Sequence, residues 1–488
     1  MLRKVSSLVN NVNLFKIVTL VIFIFQNVPS DFDIENIPMK IAFVWGMYLL
    51  AKDFFFEKNM FKEKFSYLLF ALCVSFGITV LLNFPFQFPY TVYNLGYLMQ
   101  TVLLVYPFQF NKDEDQQVKW LTHFNDIFIV ILFVLSLVSL IYFIFDIQYW
   151  VIDGTGNHWL RQGFLENRLF GLFTSPNFGA ILGLLSVFMS VINNSIKRGD
   201  WKQFTPFYIA NLIVQYFYYI LANSRGTTLT IFALFMGFFI YQIFRSFQNS
   251  TQNKSRQIGK VIIVNSLLLF TIVSVNNQVE KVAAYIPPIV SEGLNFFDQG
   301  EESKSSTGSS TISPVVIQHS EEDSEVSSGR FTIWKAGVDA TLQRPFFGLG
   351  DIDIYRNTKN NETINHIDMS KLSQQDRSEL KRAQGNMHNT YVAIFTKGGL
   401  FALVIVGVFG CFYLFSHLMT IVRGNISFES AMSQQYIIIF VMILALLAEN
   451  LVENHILFAN RNVIGHIFWV YAGYLNYLQA KLKTTKVR

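Results

Sequence analysis

Charge is what this sequence has least of. Of its 488 residues only 15% are Asp, Glu, Lys or Arg, against 52% hydrophobic residues and 51 Phe. A soluble chain of this length would need far more charge to cover its surface, so a soluble fold is excluded. Cysteine is nearly absent too. Cys73 and Cys411 are the two in the chain and both fall inside apolar runs, so neither a disulfide framework nor a Cys-based metal site is indicated. No small-residue cleavage site follows the apolar run of the first 30 residues, which carry Lys4 and Lys16. That run is expected to remain as a first helix and not to leave as a signal peptide. Nor does any internal repeat relate one half of the chain to the other.

What is present is a series of apolar blocks of roughly 17–25 residues, the length that crosses a hydrocarbon core as a helix. They fall at 13–29, 37–54, 66–84, 89–107, 123–146, 176–194, 205–222, 227–244, 261–277, 390–419, 434–452 and 462–478. The expected fold class is therefore an all-α polytopic membrane protein of about 12 transmembrane helices. An even number puts both termini on one side, and the positive-inside rule chooses the side. With the termini cytoplasmic, the inner loops hold Lys58, Lys62 and Lys64, then Lys197 and Arg198, then Arg245, Lys254, Arg256 and Lys260. The tail adds Lys481, Lys483, Lys486 and Arg488, while the outer connections at 30–36 and 85–88 carry no Lys or Arg. The net charge of +5 is thus a topology signal and no sign of a nucleic-acid partner. Three segments result: 1–277 with nine spans, an extracytoplasmic loop at 278–389, and 390–488 with three spans and a basic tail.

The long loop reads in three parts. Residues near 298–329, with EESKSSTGSSTIS and SEEDSEVSSG, are rich in Ser and acid and poor in aromatics, so they are expected to be a disordered insert. Deleting 300–325 should leave activity largely intact. Residues 330–343 read as an amphipathic helix with Phe331, Trp334, Val338 and Leu342 on its apolar face. Arg344-Pro345-Phe346-Phe347-Gly348-Leu349-Gly350 ends it in a turn. Residues 370–384 form a polar helix, broken by Gly385-Asn386 just before His388. The two helices would make a lid on the membrane surface.

Arginines on the outer side work against topology and need another reason. Arg161, Arg168, Arg225, Arg330 and Arg461 fall there, and an anion site is one such reason. The plainer alternative is snorkelling to lipid phosphates. Four patches gather the chemistry: Asn167-Arg168 leading to Pro176-Asn177, Ser224-Arg225-Gly226, Arg330 to Trp334 followed by the Pro-Phe-Phe-Gly-Leu-Gly turn, and His388-Asn389-Thr390-Tyr391. Guanidinium groups hold phosphoryl oxygens and stabilise the charge that builds as a phosphate leaves. An imidazole can take a hydroxyl proton at neutral pH. Two acidic pairs, Asp31 and Asp33 with Glu35 nearby, and Asp351 and Asp353, have no His or further acid at ligand spacing, so no metal is expected. Lys397, buried within a span, should need an ion pair, with Glu449 or Glu453 as its partner.

Taken in order, these patches resemble the O-antigen ligase and polysaccharide polymerase superfamily, over about residues 160–400. The matching features are an arginine leading into Gly-x-Phe-x-x-Pro-Asn, Ser-Arg-Gly before a helix, Arg-x-x-x-Trp then Pro-x-x-Gly-x-Gly, and His-Asn-x-Tyr. This chain departs from the pattern in its acidic insert before Arg330. The resemblance implies a GT-C-like membrane glycosyltransferase without metal or other cofactor, acting on undecaprenyl-pyrophosphate-linked oligosaccharides at the outer face of a bacterial cytoplasmic membrane. It implies that Arg225 and Arg330 bind the pyrophosphate, with Arg168 as a further contact, and that His388 deprotonates the acceptor hydroxyl. Asn389, Tyr391, Asn177, Lys397 and Glu449 would support them. The expected activity is a repeat-unit polymerase of capsule or exopolysaccharide synthesis, working beside a flippase and a chain-length regulator. A ligase passing finished glycan to a lipid, wall polymer or protein is the alternative. A lipid-linked sugar transporter is a remote third, since no related halves are visible.

Overall fold

The computed structural model describes residues 2–29, 36–84, 88–108, 114–152, 159–199, 204–249, 254–298, 313–317, 329–351, 367–424, 426, 430–459 and 462–485. Its helices are α1 (Leu2–Val9), α2 (Val12–Phe25), α3 (Asn36–Lys52), α4 (Ser66–Leu82), α5 (Phe88–Met99), α6 (Glu114–Ile144), α7 (Pro176–Arg198) and α8 (Pro206–Ala222). Then follow α9 (Arg225–Asn249), α10 (Lys254–Ala283), α11 (Ile286–Asp298), α12 (Arg330–Thr341), α13 (Gln374–Ala383), α14 (Thr390–Gly424), α15 (Ala431–Glu449) and α16 (Val463–Thr485). Each apolar block read from the sequence falls largely on one of these helices, the one at 89–107 running on from α5 into a π-helical turn, Gln100–Val105. Among the described residues six helices are long and apolar enough to cross a membrane: those of α6, α7, α9, α14 and α15, and the run through α10 and α11. The chain is an all-α polytopic membrane protein. It falls into two compact units, the first of Met1–Phe25, Ile34–Phe124 and Glu325–Arg488, the second of Gln26–Asp33 and Asn125–Ser324.

In the second unit, polar side chains join α6, α7 and α8. Asn125 Nδ2 donates to Asn193 Oδ1 at 2.8 Å, Ser136 Oγ to Gln215 Oε1 at 2.9 Å, and Asn211 Nδ2 to Ser190 Oγ at 3.1 Å. Such bonds replace the hydrophobic drive that lipid cannot supply between helices. By contrast α9 and α10 bury few of their apolar side chains, as lipid contact requires. The connection at 147–175, read from the sequence only as a loop, is a three-stranded antiparallel sheet: β1 (Gln148–Ile152), β2 (Trp159–Leu165) and β3 (Arg168–Gly171). Glu166 and Asn167 both take positive φ, the twist a two-residue hairpin needs. Arg161 pairs with Glu166 across that hairpin and lies over the rings of Trp150 and Phe170, so its charge serves the sheet. Of the expected disordered insert, residues 313–317 are described. Val315 N donates to Ala284 O at 2.9 Å and Ile317 is buried, so this short stretch is docked and a deletion should spare it. Residues 299–312 and 318–328 lie outside the described residues.

In the first unit, α12 and α13 pack on the start of α14 around Ile333, Ala336, Ala340, Leu380, Met387 and Ala393. This corrects the face expected for α12. Its buried side is the small-residue one, while Phe331 and Leu342 are exposed by 64% and 59%. Small residues let the backbones of α12 and α14 approach closely, which larger side chains would prevent. The cap of α13 is a reciprocal pair: Ser373 Oγ accepts from Asp376 N, and the Asp376 carboxylate accepts from Ser373 N.

The Pro-x-x-Gly-x-Gly turn has a structural task. α14 breaks at Gly399, whose φ of +72° only glycine adopts freely. The turn is spliced into the break. Leu349 N and Gly350 N donate to Thr396 O and Lys397 O, and Leu400 N and Phe401 N donate to Pro345 O and Phe346 O, all within 3.1 Å. A Cβ on Gly348 or Gly399 would collide with the opposite backbone. The carbonyls freed by the kink are thus satisfied inside the unit, the condition for irregular backbone at membrane depth.

Candidate active site

His388 sits one residue before the cap of α14. Asn389 supplies that cap, its Oδ1 accepting from Tyr391 N at 2.9 Å and Val392 N at 3.0 Å. Tyr391 reaches sideways, its hydroxyl donating to Leu447 O on α15 at 2.9 Å. His388 itself has a φ of +46°, an uncommon state for a side-chain-bearing residue. Two bonds hold it there: its own N donates to Asn386 Oδ1 at 2.9 Å, and Trp334 Nε1 of α12 donates to the preceding carbonyl of Met387 at 2.8 Å. The motif therefore divides its labour. Asn389 and Tyr391 fix the helix, and the backbone turn projects the imidazole.

The connection from α15 to α16 wraps around this helix start. Thr390 N donates to both Asn450 O and Glu453 O at 3.0 Å. Asn450 Oδ1 accepts from Thr390 Oγ1, His455 N and Ile456 N, which folds the chain back on itself. This wrapping places Glu453 between two expected site residues. Its Oε1 accepts from Arg330 Nη2 at 2.9 Å, and its Oε2 lies 3.3 Å from His388 Nδ1. The carboxylate is only 12% exposed, whereas His388 is 37% exposed and Arg330 23%. Burial works to raise the Glu453 carboxyl, but its bond to His388 and the charges of His455, Arg330 and His388 hold it below the usual glutamate range. Beneath it His455 Nε2 lies 3.3 Å from Glu449 Oε1. Burial works to lower the His455 imidazole, but the charges of Glu449 and Glu453 and the Glu449 bond raise it above its ordinary value. Among the described residues no other acceptor takes the rest of the Arg330 guanidinium, so four of its five N–H groups can meet an anion.

Within the second unit, the first two patches also come together. Arg168 Nε donates to Ala222 O at 3.0 Å, the last carbonyl of α8, and its Nη2 donates to Asn177 Oδ1 at 2.6 Å. Asn223 then turns with a φ of +43°, and Ser224 caps α9 through Thr227 N at 3.2 Å. Arg225, at the first position of α9, is exposed. Arg168 thus ties three elements together. Arg168→Ala is expected to lower the thermal midpoint in detergent by several degrees, and Arg225→Ala is expected to lower transfer. A thermal melt of both variants beside a transfer assay checks this.

A family model described as O-antigen ligase matches residues 210–407, which hold Arg225, Arg330, His388 and the Gly399 splice. The match over residues 210–407 supports the O-antigen ligase and polymerase superfamily for this chain. The same match supports an O-antigen ligase/polymerase-type membrane glycosyltransferase in general, a family that implies lipid-linked oligosaccharide substrates. No curated protein was found to match it.

Set against this superfamily's motifs, one expectation is corrected. Lys397 was expected to pair with Glu449 or Glu453, but its Nζ donates to Phe458 O at 3.0 Å. Among the described residues Glu449 binds His455 and Asn450, and Glu453 binds Arg330 and His388. Lys397 is thus held by the α15–α16 connection, though through a carbonyl. Asp351 is buried behind the Gly350 turn, while Asp31, Asp33, Glu35, Asp353 and Arg461 lie outside the described residues. Missed as site residues were Glu453, as the carboxylate that joins Arg330 to His388, and with it Asn450 and His455. They lie beyond the matched region, in Glu449-Asn450-Leu451-Val452-Glu453-Asn454-His455. The signal available was two acids and a histidine crowded at one span end.

Proposed function

We propose that the chain is a polysaccharide repeat-unit polymerase in which Glu453, His388 and Arg330 carry out inverting transfer from undecaprenyl pyrophosphate. The observation that carries this reading is the single carboxylate shared by imidazole and guanidinium. Held ionised, Glu453 can only accept hydrogen bonds, so His388 Nδ1 carries a proton, and in the neutral ring Nε2 keeps a lone pair. Nε2 takes the proton from the acceptor sugar hydroxyl as its oxygen attacks the anomeric carbon. The bond from that carbon to the pyrophosphate oxygen breaks, and the leaving group departs with the electron pair. The free face of Arg330 stabilises the developing negative charge. The roles of Arg225 and Arg168 toward the same pyrophosphate rest on their motifs. Attack opposite the leaving group inverts the anomeric centre.

The test is direct. Purified protein in a bilayer, given one lipid-linked repeat unit and no other acceptor, should yield a ladder of chain lengths on a gel. A ligase would return the unit unchanged and would transfer it once a lipid, wall-polymer or protein acceptor was added.

A further inference from the structure

The first unit carries a second polar assembly, at the other ends of the helices that frame His388. α14 runs from Thr390 beside Glu453 to Gly424, and α16 runs from Val463 to Thr485. The stretch from Gly399 to Arg423 alone spans about 36 Å at 1.5 Å per residue, roughly a bilayer's thickness. Here two adjoining cavities of about 560 and 320 Å³ share Lys64 and Lys483 as common wall. The larger has apolar sides, formed by Phe65, Phe412, Phe415, Met419 and Leu482, and a third cation, Arg423, at its edge. Phe412 and Phe415 are 57% and 59% exposed on a helix fit to cross a membrane, so the groove opens toward lipid tails.

Among the described residues no carboxylate lies within ion-pair distance of the cations there. The Lys64 ammonium donates to neutral acceptors, Ser416 Oγ and Gln479 Oε1, the latter at 2.7 Å. Gln479 is oriented for this by its own amide, which donates to Thr420 Oγ1 at 2.7 Å. The neighbouring Glu63 carboxylate turns inward, accepting from Asn476 Nδ2 at 2.9 Å and Phe108 N at 3.2 Å. Among the described residues neither Arg423 nor Lys483 has an acidic partner within ion-pair distance. Burial and the nearby Lys483 charge lower the Lys64 ammonium to about 8, outweighing the Glu63 charge, so positive charge is in excess where an apolar wall begins.

We infer that this groove is a binding site for an anionic phospholipid, its phosphodiester held by Lys64, Arg423 and Lys483 and one acyl chain lying along Phe412, Phe415 and Met419. Basic pockets between membrane helices suit a lipid phosphate, and the apolar wall is of no use to a free anion. This site is independent of the glycan-transfer chemistry.

The test uses the full chain purified in detergent, with native mass spectrometry after mixing with phosphatidylglycerol, phosphatidylcholine or inorganic phosphate. Phosphatidylglycerol should remain bound in preference to phosphatidylcholine, and millimolar inorganic phosphate should not displace it. The double variant Arg423→Gln/Lys483→Gln removes two cations without a side-chain partner among the described residues, so it should fold. It should bind phosphatidylglycerol about 30-fold more weakly, roughly fivefold per cation. Lys64→Gln should weaken it further. Equal retention of both lipids, undiminished binding by the double variant, or displacement by phosphate would each overturn the proposal.

Discussion

Replacing His388 with alanine is expected to stop polymer formation while lipid-linked repeat units accumulate. General base catalysis of this kind contributes about 10²–10⁴-fold, so residual chain growth should fall at or below 1% of wild type. Alanine also strains the backbone, because at a φ of +46° it lacks the polar side chain that lets His and Asn enter the left-handed region more readily. His388→Asn separates the two effects. Asparagine tolerates this conformation but has no imidazole, so the variant should keep the wild-type thermal midpoint and still make no polymer. Polymer length on a gel and the pool of lipid-linked units are the two readouts. Normal polymer in either variant would remove His388 from the chemistry.

Much of this molecule is legible in its sequence because lipid imposes a coarse grammar. A helix must be apolar for about 20 residues to cross, and each such block found its helix. The sheet at 148–171 escaped because its strands are short and their register depends on the Glu166-Asn167 turn. The face of α12 was misread for a physical reason: in a membrane protein large apolar residues can turn outward, while small ones mark where helices touch. The four motifs supplied Arg330 and His388 but not what joins them. Glu453 lies 123 residues from Arg330 and 65 from His388, and no spacing rule spans such gaps. Assigning Glu449 or Glu453 to Lys397 weighed charge alone: those carboxylates meet His455, His388 and Arg330, while the chain folding back to Phe458 offers Lys397 a carbonyl.

Glu453→Gln is the second change expected to have a large effect, and it tests the shared carboxylate itself. The glutamine is nearly the same size, so the loop at 450–456 should keep its fold. Its amide, however, can donate to His388 Nδ1, which moves the ring proton to Nε2 and removes the lone pair needed by the acceptor hydroxyl. A carboxylate-to-amide change behind a catalytic histidine costs about 10⁴-fold in the serine proteases, and a loss of roughly 10²–10⁴-fold is expected here. Arg330 can still donate to the amide oxygen but loses its only ion-pair partner among the described residues, so affinity for the lipid-linked donor should change together with turnover. Glu453→Asp keeps the charge but shortens the reach, and should recover part of the turnover that glutamine loses. The pH dependence of stability carries an independent sign. Because the folded Glu453 carboxyl sits below its unfolded value of 4.5, its contribution is fully present above that pH and fades as pH falls through the lowered value. His455, raised above 6.5, contributes fully below that pH and loses its share as pH climbs through its folded value. Thermal melts across pH should therefore show Glu453→Gln flattening the acid limb and, because the Glu453 charge also helps raise His455, drawing the alkaline limb toward lower pH, with Glu449 still holding His455 up. An unchanged acid limb together with wild-type turnover would mean the carboxylate neither holds Arg330 nor orients His388.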